Sequence, residues 1–201
     1  MLDLIYQDAF LLVANKPAGL LAVPGRGEDK QDCFSARLQH EFSDALVVHR
    51  LDMSTSGLMV FARSVEVQRR LSMLFQERMV AKRYVALVAG NLDAAGEINL
   101  PIAADWPNRP LQKIDTEQGK PSLTRYRLLN SDIDSCRVEL EPVTGRTHQL
   151  RLHLSAIGHP ILGDALYKGR LAERLMLHAT SLVFSHPATG VPLNFISPAP
   201  F

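Results

Sequence analysis

The sequence predicts an α+β fold, a largely antiparallel, mixed central sheet with flanking helices and loops. Three observations predict it. Short apolar runs of strand length, such as Leu58-Met59-Val60-Phe61-Ala62, recur along the chain. Only two or three windows space their apolar residues as a helix does. Near the end, two apolar runs flank Pro187-Ala188-Thr189-Gly190, a hairpin signal.

In chain order, residues 11–15 read as a strand, ended by the turn Lys16-Pro17-Ala18-Gly19. Asp32 is placed to cap a helix whose stripe is Phe34, Leu38 and Phe42. Strands are expected over 46–49 and 58–62, around the polar segment 50–57. Ser64 caps a second helix, with Val67, Leu71, Leu74 and Phe75 on one face and Arg69 and Arg70 elsewhere. A β-rich run over 84–88 follows, then strands over 123–129, 137–142 and 182–184, and a hairpin pairing 181–185 with 191–196. A third helix is expected over 147–157, closed by Gly158 and then Pro160. Leu150, Leu154 and Ile157 line its inner face and His148, Arg151 and Ser155 another, which sets Arg151 between core and cleft.

A length of 201 residues is enough for one sizeable domain or two closely fused halves. The chain is 46% hydrophobic and 21% charged, a globular composition that argues against disorder. No apolar run approaches the roughly 20 residues of a membrane helix. The apolar stretch 10–23 is broken by Asn15, Lys16, Pro17 and Gly19, and no basic region precedes it, so a secretory signal is not expected. Cys33 and Cys136 form no CxxC pair or disulfide framework and read as ordinary thiols, which fits a cytoplasmic location. The net charge is only +1, so a nucleic-acid partner needs charge gathered in patches. Such patches exist. Residues 63–83 hold six basic side chains against two acidic, and 145–174 five against two, while the first 62 residues are net acidic.

The most informative segment is Val47-Val48-His49-Arg50-Leu51-Asp52-Met53-Ser54-Thr55-Ser56-Gly57-Leu58-Met59-Val60. It drops an ionisable cluster between two apolar strands, and a short loop held by strands favours catalytic groups. The plainer reading is a loop carboxylate that caps its own turn through Ser54 or Thr55.

The string HRLDMSTSG resembles the active-site motif of the RluA group of RNA pseudouridine synthases, in which an Asp follows His-Arg-Leu. Other motifs of that family are matched in order: Asn15-Lys16-Pro17-Ala18-Gly19, Lys82-Arg83-Tyr84-Val85-Ala86, Gly145-Arg146-Thr147-His148-Gln149-Leu150-Arg151 and Gly158-His159-Pro160-Ile161-Leu162-Gly163-Asp164. Asp105-Trp106-Pro107-Asn108-Arg109-Pro110 is most similar to the branch that gives the group its name. The resemblance implies the pseudouridine synthase fold, with its sheet, helices and loops around an RNA-binding cleft. It also implies a single catalytic domain over 1–201, without the S4-like RNA-binding domain that many relatives carry. Ser54 stands where close relatives commonly have alanine.

Isomerising uridine breaks the bond from N1 to ribose C1′, turns the base and joins C5 to C1′. No redox change occurs, so no cofactor is needed, and a nucleophilic carboxylate can divide the reaction into easier steps. The resemblance gives that role to Asp52, by attack at C1′ or by assisting loss of the C2′ proton through a glycal. It implies that Arg151 keeps the carboxylate ionised and aimed. Tyr84, by the same resemblance, stacks near the uracil and takes part in proton removal at C5; its plainer role is a packed strand aromatic. The target base must leave its stack. Arg50, with His49 beside it, is the candidate to fill the vacated space, and a salt bridge within the loop is its plainer role. Arg109 and Lys113 are candidate phosphate contacts on an exposed loop over 105–113, for which anchoring by Trp106 is the plainer account.

His148 and His153 lack metal-site spacing, and Gly25-Arg26-Gly27 is followed by no GK[ST], so neither a metal nor a nucleotide cofactor is expected. Asp52 has no second carboxylate near it in sequence, as a hydrolytic glycosidase would need. Two rival functions remain at this level: a nucleosidase releasing free uracil, and an RNA-binding or folding factor with incidental catalysis. The resemblance implies uridines in 23S rRNA, in the tRNA anticodon loop, or in both as substrates, and 105–110 points to both. Nothing in the sequence asks for more than a monomer.

Overall fold

The computed structural model describes residues 2–201. The strands are β1 (Asp3–Gln7), β2 (Leu11–Lys16), β3 (Leu46–Val47), β4 (Ser56–Ala62), β5 (Ala81–Ala89), β6 (Ala95–Asn99), β7 (Ile102–Ala104), β8 (Gln112–Ile114), β9 (Leu123–Ser131), β10 (Ser135–Pro142), β11 (Leu177–Ser185) and β12 (Pro192–Ile196). The helices are α1 (Phe34–Glu41), α2 (Val65–Gln76) and α3 (Gln149–Ala156). The chain forms two compact units: residues up to Lys82 with Ala179–Pro200, and Arg83–His178 with Phe201.

In the first unit the strand order is β1-β2-β4-β11, with β3 on β4 and β12 on β11. β1/β2, β2/β4, β3/β4 and β11/β12 pair antiparallel. Every residue of β4 is buried, as befits a strand covered on both faces. Its side chains alternate between those faces. Leu58, Val60 and Ala62 meet Val67 and Leu71 of α2. Phe61 points the other way and lies 5.8 Å from the ring of Phe34 in α1.

α2 starts where the sequence places it, with Ser64 Oγ accepting the Val67 N–H at 3.3 Å. At α1 the cap is Cys33, whose sulfur accepts the Ala36 N–H, and not Asp32. Asp32 instead takes both Nε and Nη2 of Arg37, because a guanidinium five residues on offers a carboxylate more than a neutral backbone donor does. The expected strand over 46–49 shrinks to Leu46–Val47, since the Val60 N–H of β4 is taken by the His49 ring. The hairpin expected near the end is present, with Ser181 opposite Ile196 and Ser185 opposite Pro192, and Gly190 turns it at φ +74°.

The second unit has the order β5-β10-β9-β6, antiparallel throughout, with β7 and β8 as a separate hairpin. β10 alternates strictly between half-buried and buried residues. Cys136, Val138 and Leu140 join Ala86 and Val88 of β5 beneath Leu150 and Leu154 of α3. Arg137, Glu139 and Glu141 occupy the intervening positions of β10. α3 begins at Gln149 and not at 147, because His148 adopts the left-handed conformation at φ +54° as its N-cap. Tyr167 ties the smaller hairpin to this helix: its hydroxyl accepts the Gln112 N–H at 2.9 Å and lies 2.8 Å from His148 Nδ1.

Candidate active site

The first unit holds Asp52, His49 and Arg50. Asp52 is half-buried between buried Leu51 and exposed Met53. Its carbonyl accepts the Thr55 N–H at 3.1 Å, closing a tight turn that leads into β4. The next carbonyl, that of Met53, accepts the Gly19 N–H at 2.9 Å and Lys16 Nζ at 3.0 Å. Lys16 is 1% exposed, and its ammonium also donates to the carbonyls of Pro17 and Leu20, both at 2.7 Å. A buried ammonium is tolerable only when its three protons are matched by acceptors in this way. The segment at 15–19 and the Asp52 loop, separate motifs in the sequence, are therefore pinned to each other through one lysine.

Gly57 ends the loop for a steric reason. Its φ is +117°, and a Cβ there would fall 2.4 Å from the Ala179 carbonyl oxygen, so no side chain fits.

His49 is built into the scaffold. Its Nε2 accepts the Val60 N–H at 3.0 Å, and its ring stacks on Phe75 at 4.5 Å. Burial, with the positive charge of Lys82 as the second cause, pushes its pKa down to about 3. At neutral pH the ring is uncharged, so it offers RNA no cation. Arg50 is exposed and forms no ion pair among the described residues, so the salt bridge within the loop is not formed.

Tyr84, Arg151, Arg109 and Lys113 lie in the second unit. Tyr84 sits on β5 opposite Leu140, half-buried against the core of that unit. Its neighbour Arg83 is ion-paired with Glu141. Arg151 is 4% exposed and makes a two-pronged pair with Asp164, Nε to Oδ2 at 2.8 Å and Nη2 to Oδ1 at 2.7 Å. Asp164 Oδ1 also accepts the Leu166 and Tyr167 N–H groups. The guanidinium lies 5.3 Å from the Tyr167 ring centre. Both groups are held in a single orientation by geometry that lysine in place of arginine would not reproduce.

Gln149 organises the loop before α3. Its Oε1 accepts from Thr144 Oγ1 and the Arg146 N–H, and its Nε2 donates to the Leu123 carbonyl and Thr124 Oγ1. The segment at 105–113, expected as an exposed loop, is the connection between β7 and β8, with one 3-10 turn at Trp106–Asn108 and its last two residues in β8. Trp106 does not anchor it, being 67% exposed, and the Arg109 guanidinium lies 3.4 Å over its ring. Lys113 pairs with Asp115 at 2.9 Å.

Sequence reasoning assigned no role to Lys16, Asp164 or Gln149. The signal for Lys16 was available: a lysine ending an apolar strand just before a turn. Asp164 and Gln149 gave none of their own, because the partners that define them, Arg151 for the first and Leu123 and Thr124 for the second, lie on other elements of the fold.

A family model described as RNA pseudouridylate synthase matches residues 10–156, a span that holds Asp52, Tyr84 and Arg151. The chain is 47% identical, over a 206-residue alignment covering 100% of it and 94% of the relative, to "Dual-specificity RNA pseudouridine synthase RluA" of Escherichia coli strain K12. The protein of that name from Yersinia pestis is 47% identical, with 98% of each chain covered. That from Vibrio cholerae is 48% identical over 92% of this chain and 78% of its own. Among solved structures, human RNA pseudouridylate synthase domain containing 1 superimposes with a TM-score of 0.82 at 32% identity, covering 100% of this chain and 84% of that one. Domain containing 4 of the same human series gives 0.79 at 28%, covering 98% and 88%.

Proposed function

Since the chain belongs to the RluA-type RNA pseudouridine synthases and is thus an isomerase, we propose that it converts uridine to pseudouridine in two RNA contexts. These are 23S rRNA and the tRNA anticodon stem-loop. The observation that carries the dual reading is the full-length 47% identity to relatives that bear dual specificity in their name. The Asp105–Pro110 motif, most similar to that branch, supports it.

In this reading Asp52 is the nucleophile. It is half-buried, on a loop pinned by Lys16 and Gly19, which is the setting a carboxylate needs to act without first being ordered. Its carboxylate serves either route, attack at C1′ or removal of the C2′ proton. On the first route the Asp52–C1′ bond that forms as N1–C1′ breaks is itself broken when C5 bonds to C1′; on the second the proton taken from C2′ as N1–C1′ breaks is returned to C2′ when C5 bonds to C1′. In both the uracil turns between the two steps, and the C5 proton is lost as N1 gains one. Tyr84 faces the uracil and assists at C5, and Arg151 is the cation that the family resemblance assigns to the same reaction. Arg50, exposed and in no ion pair among the described residues, enters the space left by the flipped base, with neutral His49 behind it. Arg109 and Lys113 meet phosphates. The enzyme acts as a monomer in the cytoplasm.

The test uses wild-type and Asp52→Ala protein with two unmodified transcripts, an anticodon stem-loop and a hairpin from 23S rRNA, and no added metal or cofactor. Pseudouridine in both RNAs with the wild type and in neither with the variant is the expected result. Product in one RNA alone would remove the dual specificity, and equal product from both proteins would remove Asp52 from the chemistry. Free uracil would indicate a nucleosidase.

A further inference from the structure

Beside the β7–β8 hairpin, within the second unit, lies an open cleft of about 700 Å³ whose lining includes Trp106, Lys113, Lys120 and Arg146. That volume falls within the range of about 300–1,000 Å³ typical of small-ligand sites. Trp106 is the one tryptophan of the chain and is 67% exposed. An indole so open to water does nothing for a core. Arg109 covers one face of it at 3.4 Å, which orients the ring and leaves its exposed remainder as a flat surface.

The platform is held rather than loose. Asp105 and Leu111 close the tip, with the Asp105 N–H on the Leu111 carbonyl and the Leu111 N–H on that of Asn108, both at 3.0 Å. Ile102 packs with Leu152 of α3 and Tyr167, with Ile114 against them, at the base of the hairpin. Charge in the cleft is divided unevenly. Asp115 is used up by Lys113 and by the N–H groups of Glu117 and Gln118. Lys120 and Arg146 are exposed and form no ion pair among the described residues, and Arg146 is carried on the loop that Gln149 fixes. A rigid aromatic surface with cations beside it suits the two parts of a nucleotide. Unpaired bases are recognised by stacking on aromatic or guanidinium planes, and their phosphates by lysine and arginine.

We infer that this cleft is a nucleotide subsite, in which an unpaired base of the RNA, other than the target uridine, stacks on Trp106 while its phosphate meets Arg146 and Lys120. The inference rests on the reading that the chain modifies RNA, and goes beyond it by placing a second recognised nucleotide on the hairpin.

The single tryptophan makes the test direct, because all indole emission comes from this site. The Asp52→Ala chain, which holds RNA without turning it over, is titrated with each stem-loop. The emission is quenched on binding, and an abasic replacement at one loop position restores it. Trp106→Ala weakens RNA binding roughly tenfold, while Trp106→Phe, which keeps a stacking face, stays within about threefold. Quenching that survives every single abasic replacement, or no quenching at saturation, overturns the subsite; should Trp106→Ala fold poorly, the abasic series on the intact indole still decides. A pseudouridine assay with the wild type on the same RNAs separates the two levels. Product beside an unquenched indole removes the subsite alone, whereas no product from either RNA removes the function and the subsite with it.

Discussion

Removing the carboxylate of Asp164 is expected to destabilise the protein severely. The side chains of Arg151 and Asp164 are 4% and 0% exposed, and they meet through two charge-assisted bonds of 2.8 and 2.7 Å. Asp164→Ala leaves the guanidinium buried without this counter-charge and strips the Leu166 and Tyr167 N–H groups of an acceptor. Breaking a buried pair by deleting one partner costs about 3–5 kcal/mol. In a chain of 201 residues this is a fall in Tm on the order of 10 °C. Urea unfolding followed by circular dichroism measures it. The second arm is the double variant Arg151→Met, Asp164→Ala, in which no buried charge is stranded. Its stability should exceed the sum of the single losses by about 1.5 kcal/mol or more. A loss below about 1 kcal/mol in Asp164→Ala would refute the reasoning, as would additivity in the double variant. Arg37–Asp32, at 53% and 65% exposure, supplies the contrast: water screens that pair and solvates either partner left alone, so Asp32→Ala should move Tm far less than Asp164→Ala does.

Lys16→Met should lower kcat for pseudouridine formation by roughly tenfold or more while KM for RNA changes little, because it frees the Met53 carbonyl beside Asp52 without touching an RNA-binding side chain. A proportionate rise in KM with kcat intact would contradict this. The His49 pKa of about 3 lies below its unfolded value of about 6.5, so the unfolded chain takes up the proton first as pH falls. Its contribution to stability is complete above pH 6.5 and declines toward pH 3, with a slope of at most about 1.4 kcal/mol per pH unit. His49→Gln, whose side-chain oxygen can still accept the Val60 N–H, should remove that slope in unfolding curves taken between pH 4 and 6.5. The paired change Arg109→Gln, Lys113→Gln should reduce the slope of log Kd against log salt for RNA by about 1.4, at about 0.7 for each phosphate contact to single-stranded RNA. An unchanged slope would remove both as phosphate contacts.

Much of this protein is legible in its sequence because the information is local. Ser64 before Val67 and Leu71 announces α2, since a cap and the stripe that follows it are set by spacing along one helix. The hairpin around Gly190 and the alternation of β10 are visible for the same reason. The Asp52 segment stands out by type, an ionisable run between apolar strands. What the sequence could not decide is which distant groups compete for one partner. Asp32 has the composition of a cap, yet Arg37 outbids the backbone for its carboxylate, and Cys33 takes the cap. The strand at 46–49 stops at Val47 because a histidine ring nitrogen claims the Val60 N–H that would have continued the ladder. Asp164 becomes the partner of Arg151, and Lys16 the pin of the Asp52 loop, only when folding brings together segments separated by 13 and 37 positions. Spacing along the chain determines where helices, strands and turns begin. Hydrogen-bond and charge satisfaction among buried groups is a property of the assembled fold, and it is this that orders the residues around the chemistry.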